Sequence, residues 1–355
     1  MSHFWLAAGG TGGHISPGVA ITDELHKVGD TITFFTLQRN FDYPDIVGLR
    51  NTGNAEVQIY SAPRFPKTPF QLVHFITQLI SAWKTLSREF KSKPCEAILT
   101  MGGYPTFPIL LFAFFKGIPF FLCEQNSRMG MVTRLFRKKA TRVFHSFPGN
   151  QFLKNEVLAG NPLRNIFINK QKPKREFSKI NKILLLGGSQ GAQDINELYQ
   201  KMTVDESFSD MEITISCGGK SFEEVKKSAR KQDRVFDFIY DMPDEMLNTD
   251  MIISRAGSGL VYEIIWSGTP AIFMPYPHAT DDHQRGNAIS LVKSEMAFMI
   301  DIRPFIPVAA LEEIKSIIHD RKAIENVYKN ISEKNPLPLD AHLIIPEKVK
   351  EALQS

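Results

Sequence analysis

Apolar residues along the chain fall into short runs rich in β-branched and aromatic side chains, separated by longer segments in which apolar positions recur every three or four residues. The runs predict strands over 4–8, 31–36, 57–60, 97–101, 119–123 and 142–145, and again over 182–186, 212–216, 235–239, 251–254 and 271–274. Nearly continuous apolar strands alternating with helices predict parallel sheets covered on both faces. The chain has 355 residues, more than one hydrophobic core usually holds, and two complete sets of strands predict two such α/β domains. The break is expected at Gly160-Asn161-Pro162, ahead of the polar and basic stretch 169–182, giving domains over 1–163 and 164–340. Pro336, Pro338 and Pro346 predict an irregular passage before a last short helix, about 347–353.

One helical pattern differs from the rest. Leu72, Ile76, Leu79, Trp83, Leu86 and Phe90 follow a four-three spacing, and this main stripe is expected to pack on its own sheet. Phe70, Val73, Phe75 and Ile80 widen the apolar surface beyond that stripe. Lys84, Arg88, Lys91 and Lys93 follow, opposed only by Glu89, and a second basic run holds Arg128, Arg134, Arg137, Lys138, Lys139 and Arg142. The net charge of +4 hides this asymmetry: residues 1–164 carry 18 Lys and Arg against 10 Asp and Glu, the remainder 24 against 28. An apolar patch rimmed by cations predicts docking on an anionic membrane surface. The most apolar stretch, 107–115, is too short to cross a bilayer, which needs about 20 residues.

Composition narrows the class further. Apolar residues at 43% and charged residues at 23% exclude disorder as the main state. Cys95, Cys123 and Cys217 are odd in number and share no metal-ligand spacing, which argues against a disulfide framework and for a reducing compartment. The N-terminal Met1-Ser2-His3-Phe4-Trp5 lacks a basic segment and cleavage site, so no secretion signal is expected.

Four strand-to-helix turns are glycine-rich: Gly9-Gly10-Thr11-Gly12-Gly13, Gly102-Gly103, Gly187-Gly188-Ser189-Gln190-Gly191, and Gly257-Ser258-Gly259. Such turns let a ligand approach the backbone, and the helix that follows offers free N–H groups and a positive dipole end, which suits phosphate. Counted from Gly10, the sixth position of a dinucleotide fingerprint is Ile15, and no G-K-[ST] occurs. NAD and ATP therefore lose ground, leaving a nucleotide held between two Rossmann-like domains.

With Gly9-Gly10-Thr11-Gly12-Gly13-His14-Ile15-Ser16-Pro17 the chain resembles the opening motif of the MurG family, bacterial UDP-N-acetylglucosamine:N-acetylmuramyl-(pentapeptide) pyrophosphoryl-undecaprenol N-acetylglucosaminyltransferases. Further matches follow in the family's order at Gly102-Gly103-Tyr104, Glu124-Gln125-Asn126, Gly160-Asn161-Pro162-Leu163-Arg164, Gly187-Gly188-Ser189-Gln190-Gly191, Arg255-Ala256-Gly257, and Asp282-His283-Gln284 with Asn287. The resemblance covers about residues 3–300 and implies the GT-B fold, two Rossmann-like domains flanking a cleft, with a C-terminal helix at about 341–355 returning to the first. It implies UDP-GlcNAc as donor and lipid I, the undecaprenyl-diphosphate-linked MurNAc-pentapeptide, as acceptor. Inverting transfer to the C4 hydroxyl would form lipid II without a cofactor or a metal. The expected setting is the cytoplasmic face of the bacterial membrane, with a cell-wall synthesis complex as a partner and no nucleic acid.

The resemblance also distributes roles. Thr11, Gly12, Gly13, Tyr104 and Asn126 fall on the acceptor side. His14, at a helix start, is either a polar end residue or a neutral imidazole beside the acceptor. Glu124 is equally open between a base and a structural ion partner. The donor side takes Arg164 and Ser189 for the diphosphate, the Ile239 backbone for uracil, and Glu263 for the ribose hydroxyls. Ser258 is a candidate phosphate contact, and His283, Gln284 and Asn287 are expected to hydrogen-bond the sugar. Asp281-Asp282-His283 reads as an N-cap rather than a metal site, because adjacent carboxylates do not converge on one helix face. Two positions depart from the family: Cys123 where His is usual, and Leu260 where many members carry a hydroxyl. Another lipid-directed UDP-sugar transferase, or a UDP-sugar epimerase, is the alternative within the fold; a nicotinamide dehydrogenase or a nucleotide sensor lies outside it.

Overall fold

The computed structural model describes residues 1–149, 151–171, 179–188 and 191–354, and of residue 280 the backbone. The chain divides into two compact units. The first runs over Met1–Asn165 and resumes at Leu337; the second is Ile166–Pro336.

The strands of the first unit are β1 (His3–Ala7), β2 (Thr31–Thr36), β3 (Glu56–Ile59), β4 (Ala97–Thr100), β5 (Phe120–Glu124), β6 (Arg142–His145) and β7 (Glu156–Leu158). They form one parallel sheet in the order β3-β2-β1-β4-β5-β6-β7. Its helices are α1 (Gly12–Lys27), α2 (Pro44–Thr52), α3 (Pro69–Ser92), α4 (Phe107–Lys116) and α5 (Met131–Phe136). Side chains alternate across the sheet, so β1 feeds two cores. Phe4 and Leu6 pack with Ile15, Ile21 and Leu25 of α1, while Trp5 and Ala7 pack with Ala82 and Leu86 of α3 and Ile109 and Phe112 of α4. The Trp5 ring lies 4.8 Å from Phe35 and 5.9 Å from Phe112.

A single turn, α6 (Asn165–Ile168), stands at the boundary. The second unit has strands β8 (Lys182–Leu186), β9 (Glu212–Ser216), β10 (Arg234–Phe236), β11 (Met251–Ser254), β12 (Ala271–Phe273) and β13 (Phe298–Met299), parallel in the order β10-β9-β8-β11-β12-β13. Its helices are α7 (Gln193–Met202), α8 (Phe222–Lys227), α9 (Met242–Leu247), α10 (Ser258–Ser267), α11 (His283–Val292), α12 (Pro307–His319) and α13 (Arg321–Glu333). Ile183 and Leu185 of β8 meet Ile195, Leu198 and Met202 of α7 and Ala310 and Ile314 of α12 in its core. The last helix, α14 (Ala341–Gln354), belongs to the first unit. Ala341, Ile345 and Val349 complete the α1 side of that core, and Lys350 Nζ lies 2.6 Å from the buried carboxylate of Asp30.

Several expectations change. The boundary follows Asn165 rather than residue 163, which leaves Arg164 in the first unit, and the return begins at Leu337. There the chain passes so near Gly160, at φ 88°, that a Cβ would stand 2.2 Å from the Pro338 carbonyl oxygen. Pro346 lies inside α14 rather than before it. Strands β7 and β13, of 3 and 2 residues, were not expected, and β10 ends at Phe236, so Ile239 lies in the loop beyond it. Of the α3 stripe, Trp83, Leu86 and Phe90 pack with the core beside Ala82, and nearer the helix start the Phe75 ring meets those of Phe65 and Phe107. Leu72 and Ile76, expected to pack, are exposed, as are Phe70, Val73 and Ile80 of the wider apolar surface.

Candidate functional site

In a parallel α/β sheet the chain leaves adjacent strands in opposite directions at one point, and the crevice at the carboxyl ends of those strands is the usual ligand site. In the first unit that point lies between β1 and β4. The turn after β1 is the glycine segment, and α1 starts at Gly12 with Thr11 as its N-cap. The Thr11 side chain does not cap the helix; its Oγ1 stands 3.2 Å from His14 Nδ1. The other imidazole nitrogen faces the turn after β4: a Cβ on Gly103 would lie 3.4 Å from His14 Nε2. Gly103, at φ 76°, lets the β4 backbone close against the ring. Tyr104 follows directly, and Arg39 Nη2 donates to its hydroxyl at 2.8 Å. The segment after β2 embraces the same turn, since Asn40 Oδ1 accepts from the Gly10 amide at 3.1 Å and the Tyr43 phenol lies against Gly12.

Glu124 ends β5 and is buried. Its Oε2 accepts from the Gly130 amide at 2.9 Å and its Oε1 from the Asn126 amide at 3.2 Å. Both bonds tie the carboxylate to the loop that carries Asn126. Cys123 is buried beside it; burial first, and then the Glu124 charge, push its thiol up to about 12, so it is a neutral packing group at ordinary pH.

The equivalent point of the second unit lies between β8 and β11. Gly191 closes the turn after β8 at φ 73°, where a Cβ would stand 2.2 Å from the Cys217 carbonyl oxygen; no larger residue fits. Ser189 and Gln190 lie outside the described residues. Beyond β11, Arg255 is buried, donates to the Met274 carbonyl at 2.9 Å and pairs with Asp194 at 2.7 Å. It ties the ends of β11 and β12 to the start of α7. Gly257 precedes α10, whose first residue, Ser258, is buried, as is Glu263 on the same helix. Ile239 is buried in the loop after β10, outside the ladder.

The α11 residues divide. His283 is half-buried at the helix start, and Gln284 Oε1 accepts from the Tyr276 amide at 2.9 Å. Asn287 is fully buried and donates to the Ala256 carbonyl at 3.1 Å. That bond ties α11 to the turn after β11. Asp282 occupies the N-cap position in a left-handed conformation, but its carboxylate pairs with Arg303 at 2.9 Å instead of capping.

Arg39, Asn40 and Tyr43 carry no motif that marks them in the sequence, and Arg255, though it opens the Arg255-Ala256-Gly257 match, is given no role by it. The available signal was position: Arg39 and Asn40 closely follow a strand end, and Arg255 immediately follows one.

Residues 4–145 match the glycosyltransferase family 28 N-terminal domain, and residues 182–337 the family's C-terminal domain. A UDP-N-acetylglucosamine--N-acetylmuramyl-(pentapeptide) pyrophosphoryl-undecaprenol N-acetylglucosamine transferase of Polaromonas sp. is 33% identical over 90% of this chain and 84% of its own length. The enzyme of the same name from Francisella philomiragia is 30% identical over 98% of this chain and 97% of its own. Among solved structures, Acinetobacter baumannii MurG superposes with a TM-score of 0.78 at 23% identity, over 99% of this chain and 100% of that one, a likeness of fold. CalG4, the calicheamicin glycosyltransferase, shares the fold at a TM-score of 0.73 and 13% identity, over 100% of this chain and 98% of that one. Two parallel α/β units, each with a glycine turn at its switch point, thus accompany matches to both family domains: the chain belongs to glycosyltransferase family 28, among the MurG transferases.

Proposed function

We propose that the protein transfers N-acetylglucosamine from UDP-N-acetylglucosamine to the C4 hydroxyl of N-acetylmuramic acid in lipid I. The observation that carries this reading is the placement of His14 Nε2 against Gly103, at the first unit's switch point and one residue from the glycine turn. Nε2 can accept a proton only if the other nitrogen carries one, so the working tautomer has Nδ1–H donating to Thr11 Oγ1. The C4 oxygen then bonds to the anomeric carbon as the bond to the UDP oxygen breaks on the opposite face. The C4 proton passes to Nε2, and the configuration inverts.

Negative charge collects on the departing diphosphate. In this reading the glycine turn after β8 and the start of α10, with Ser258, supply fixed donors to it, and each such donor is worth about 3–4 kcal/mol of barrier. The Ile239 backbone takes uracil and Glu263 the ribose hydroxyls, with His283 and Gln284 near the sugar. Ser189 and Arg164 keep their donor assignment from the resemblance alone. Glu124 and Asn287 act by holding loops. No divalent ion enters the scheme.

In the same reading the exposed start of α3, with Phe70, Val73, Ile76 and Ile80, docks on the cytoplasmic face of the membrane. Exposed Phe114 and Phe115 at the end of α4, which packs on α3, extend that surface, and Lys84, Arg88 and Lys116 supply its cations. A place beside other cell-wall enzymes follows from the acceptor's membrane location. Incubation with UDP-N-acetylglucosamine and a short-chain lipid I analogue, with and without a chelator, tests the proposal by product mass. A disaccharide product in both samples supports it; hydrolysis of the donor alone, or strict magnesium dependence, counts against it.

A further inference from the structure

Two arginines in the first unit have no assigned task. Arg39 follows β2 and Arg64 follows β3, the two strands on the far side of β1 from β4. Both are exposed, yet both converge on one ring: the Arg39 guanidinium lies 5.8 Å and that of Arg64 6.0 Å from the centre of Tyr104. Arg39 also reaches the glycine turn, with Nη2 3.9 Å from where a Cβ on Gly10 would stand. Among the described residues neither arginine has a carboxylate within ion-pair distance, in contrast with Arg137, Arg230, Arg234, Arg255, Arg285 and Arg303. Two uncompensated like charges on one ring repel each other, and a long exposed side chain gives up rotamer freedom to be held there. The polar ring face returns only part of that cost.

The missing component is an anion. Guanidinium groups bind phosphate through paired N–H donors, and two of them match a group carrying two phosphates. We propose that Arg39 and Arg64, aligned by Tyr104, grip the diphosphate of the lipid-linked acceptor, beside the glycine turn that holds His14. The inference rests on the acceptor chemistry proposed above and adds the residues that read its charged link. The glycine turn itself contains no basic side chain except His14 at its end, so these arginines supply the permanent charge.

The test combines kinetics with direct binding. The double variant Arg39→Gln/Arg64→Gln, which keeps the wild-type melting temperature because both side chains are exposed, is expected to raise KM for a short-chain lipid I analogue at least tenfold. KM for UDP-N-acetylglucosamine should change less than twofold. By calorimetry, geranyl diphosphate should bind the wild type more tightly than geranyl monophosphate, and the double variant should lose that preference; Arg39→Lys should retain part of it. Unchanged diphosphate affinity in the double variant overturns the proposal, even when the wild type makes the disaccharide. A rise in donor KM alone reassigns the arginines to UDP and also overturns it. Loss of binding to phosphatidylglycerol vesicles with diphosphate affinity intact places them at the membrane headgroups, which overturns it as well. If the wild type makes no disaccharide but the double variant still loses diphosphate binding, the proposal stands and the assigned acceptor is wrong.

Discussion

At the scale of single residues, the chemistry proposed for the first unit turns on one imidazole and the group behind it. General base catalysis contributes typically 10²–10⁴-fold, so His14→Ala should lower kcat within that range and leave UDP affinity unchanged. Thr11→Val tests the tautomer: without Oγ1 the Nδ1–H form loses its acceptor, and kcat should fall roughly tenfold at constant donor KM. Steady-state kinetics with either substrate varied separates the two terms, and normal turnover in His14→Ala would remove it from the chemistry. In the second unit Glu263 is buried, so a ribose contact there should be firm. Glu263→Ala is expected to weaken UDP binding by about 1–3 kcal/mol in calorimetry, and an unchanged affinity would put the ribose elsewhere.

At the scale of elements, what could be read from sequence depended on whether a pattern contains its own partner. β1, β2, β8 and β11 are long apolar runs that need only a neighbouring strand, and they were legible. β7 and β13 are too short to show any period, and they exist because a neighbouring strand offers an open edge. The α3 segment was legible as a helix whose apolar surface is wider than its packed stripe, but spacing could not say where the packing begins, and Leu72 and Ile76 of the stripe are exposed. Its exposed start predicts that Val73→Glu/Ile76→Glu should cut binding to anionic vesicles at least tenfold while shifting stability by no more than about 0.5 kcal/mol. Asn287 was legible as one face of α11 but not as an inward polar anchor, for the same reason.

A buried ion cluster joins β6, β7 and the end of α5. Arg137 grips Glu156 at 2.6 and 2.8 Å, and His145 Nε2 stands 3.5 Å from the same carboxylate. Burial alone would raise the Glu156 pKa, but the Arg137 and Leu153 hydrogen bonds and the neighbouring charges hold it below the ordinary carboxylate range. A depressed native pKa means that its contribution is complete above the unfolded value of about 4.3 and fades as pH falls through the native value. Glu156→Gln should therefore cost about 2–3 kcal/mol near neutrality, and less at acid pH, in denaturant titrations at several pH values. An equal cost at pH 7 and pH 3 would show that the charge is not what the cluster uses.

At the scale of the whole molecule, the count of domains was legible because the strand–glycine–helix unit recurs, and the boundary was placed to within a few residues. The path of the chain is the part with mechanical consequences, since it leaves the first unit after Asn165 and re-enters at Leu337. Removal of residues 341–355 strips three fully buried side chains from the first core: Ala341, Ile345 and Val349. Burying a Val or Ile is worth about 1.5–3 kcal/mol, and total stabilities are only about 5–15 kcal/mol. The truncated chain should lose the melting transition of the first unit in calorimetry, whereas the transition that UDP raises should persist. Two retained transitions would show that α14 is dispensable.

The same path sets an order of events during synthesis. The sheet to which β1 belongs is not sealed until α14 emerges, more than 300 residues after β1. The second unit, being continuous, can finish its core while its neighbour still exposes the α1 groove. At ribosomal speeds of about 5–20 residues per second that groove stays open for tens of seconds in each nascent chain, a natural binding place for chaperones and the point at which a stalled chain would aggregate.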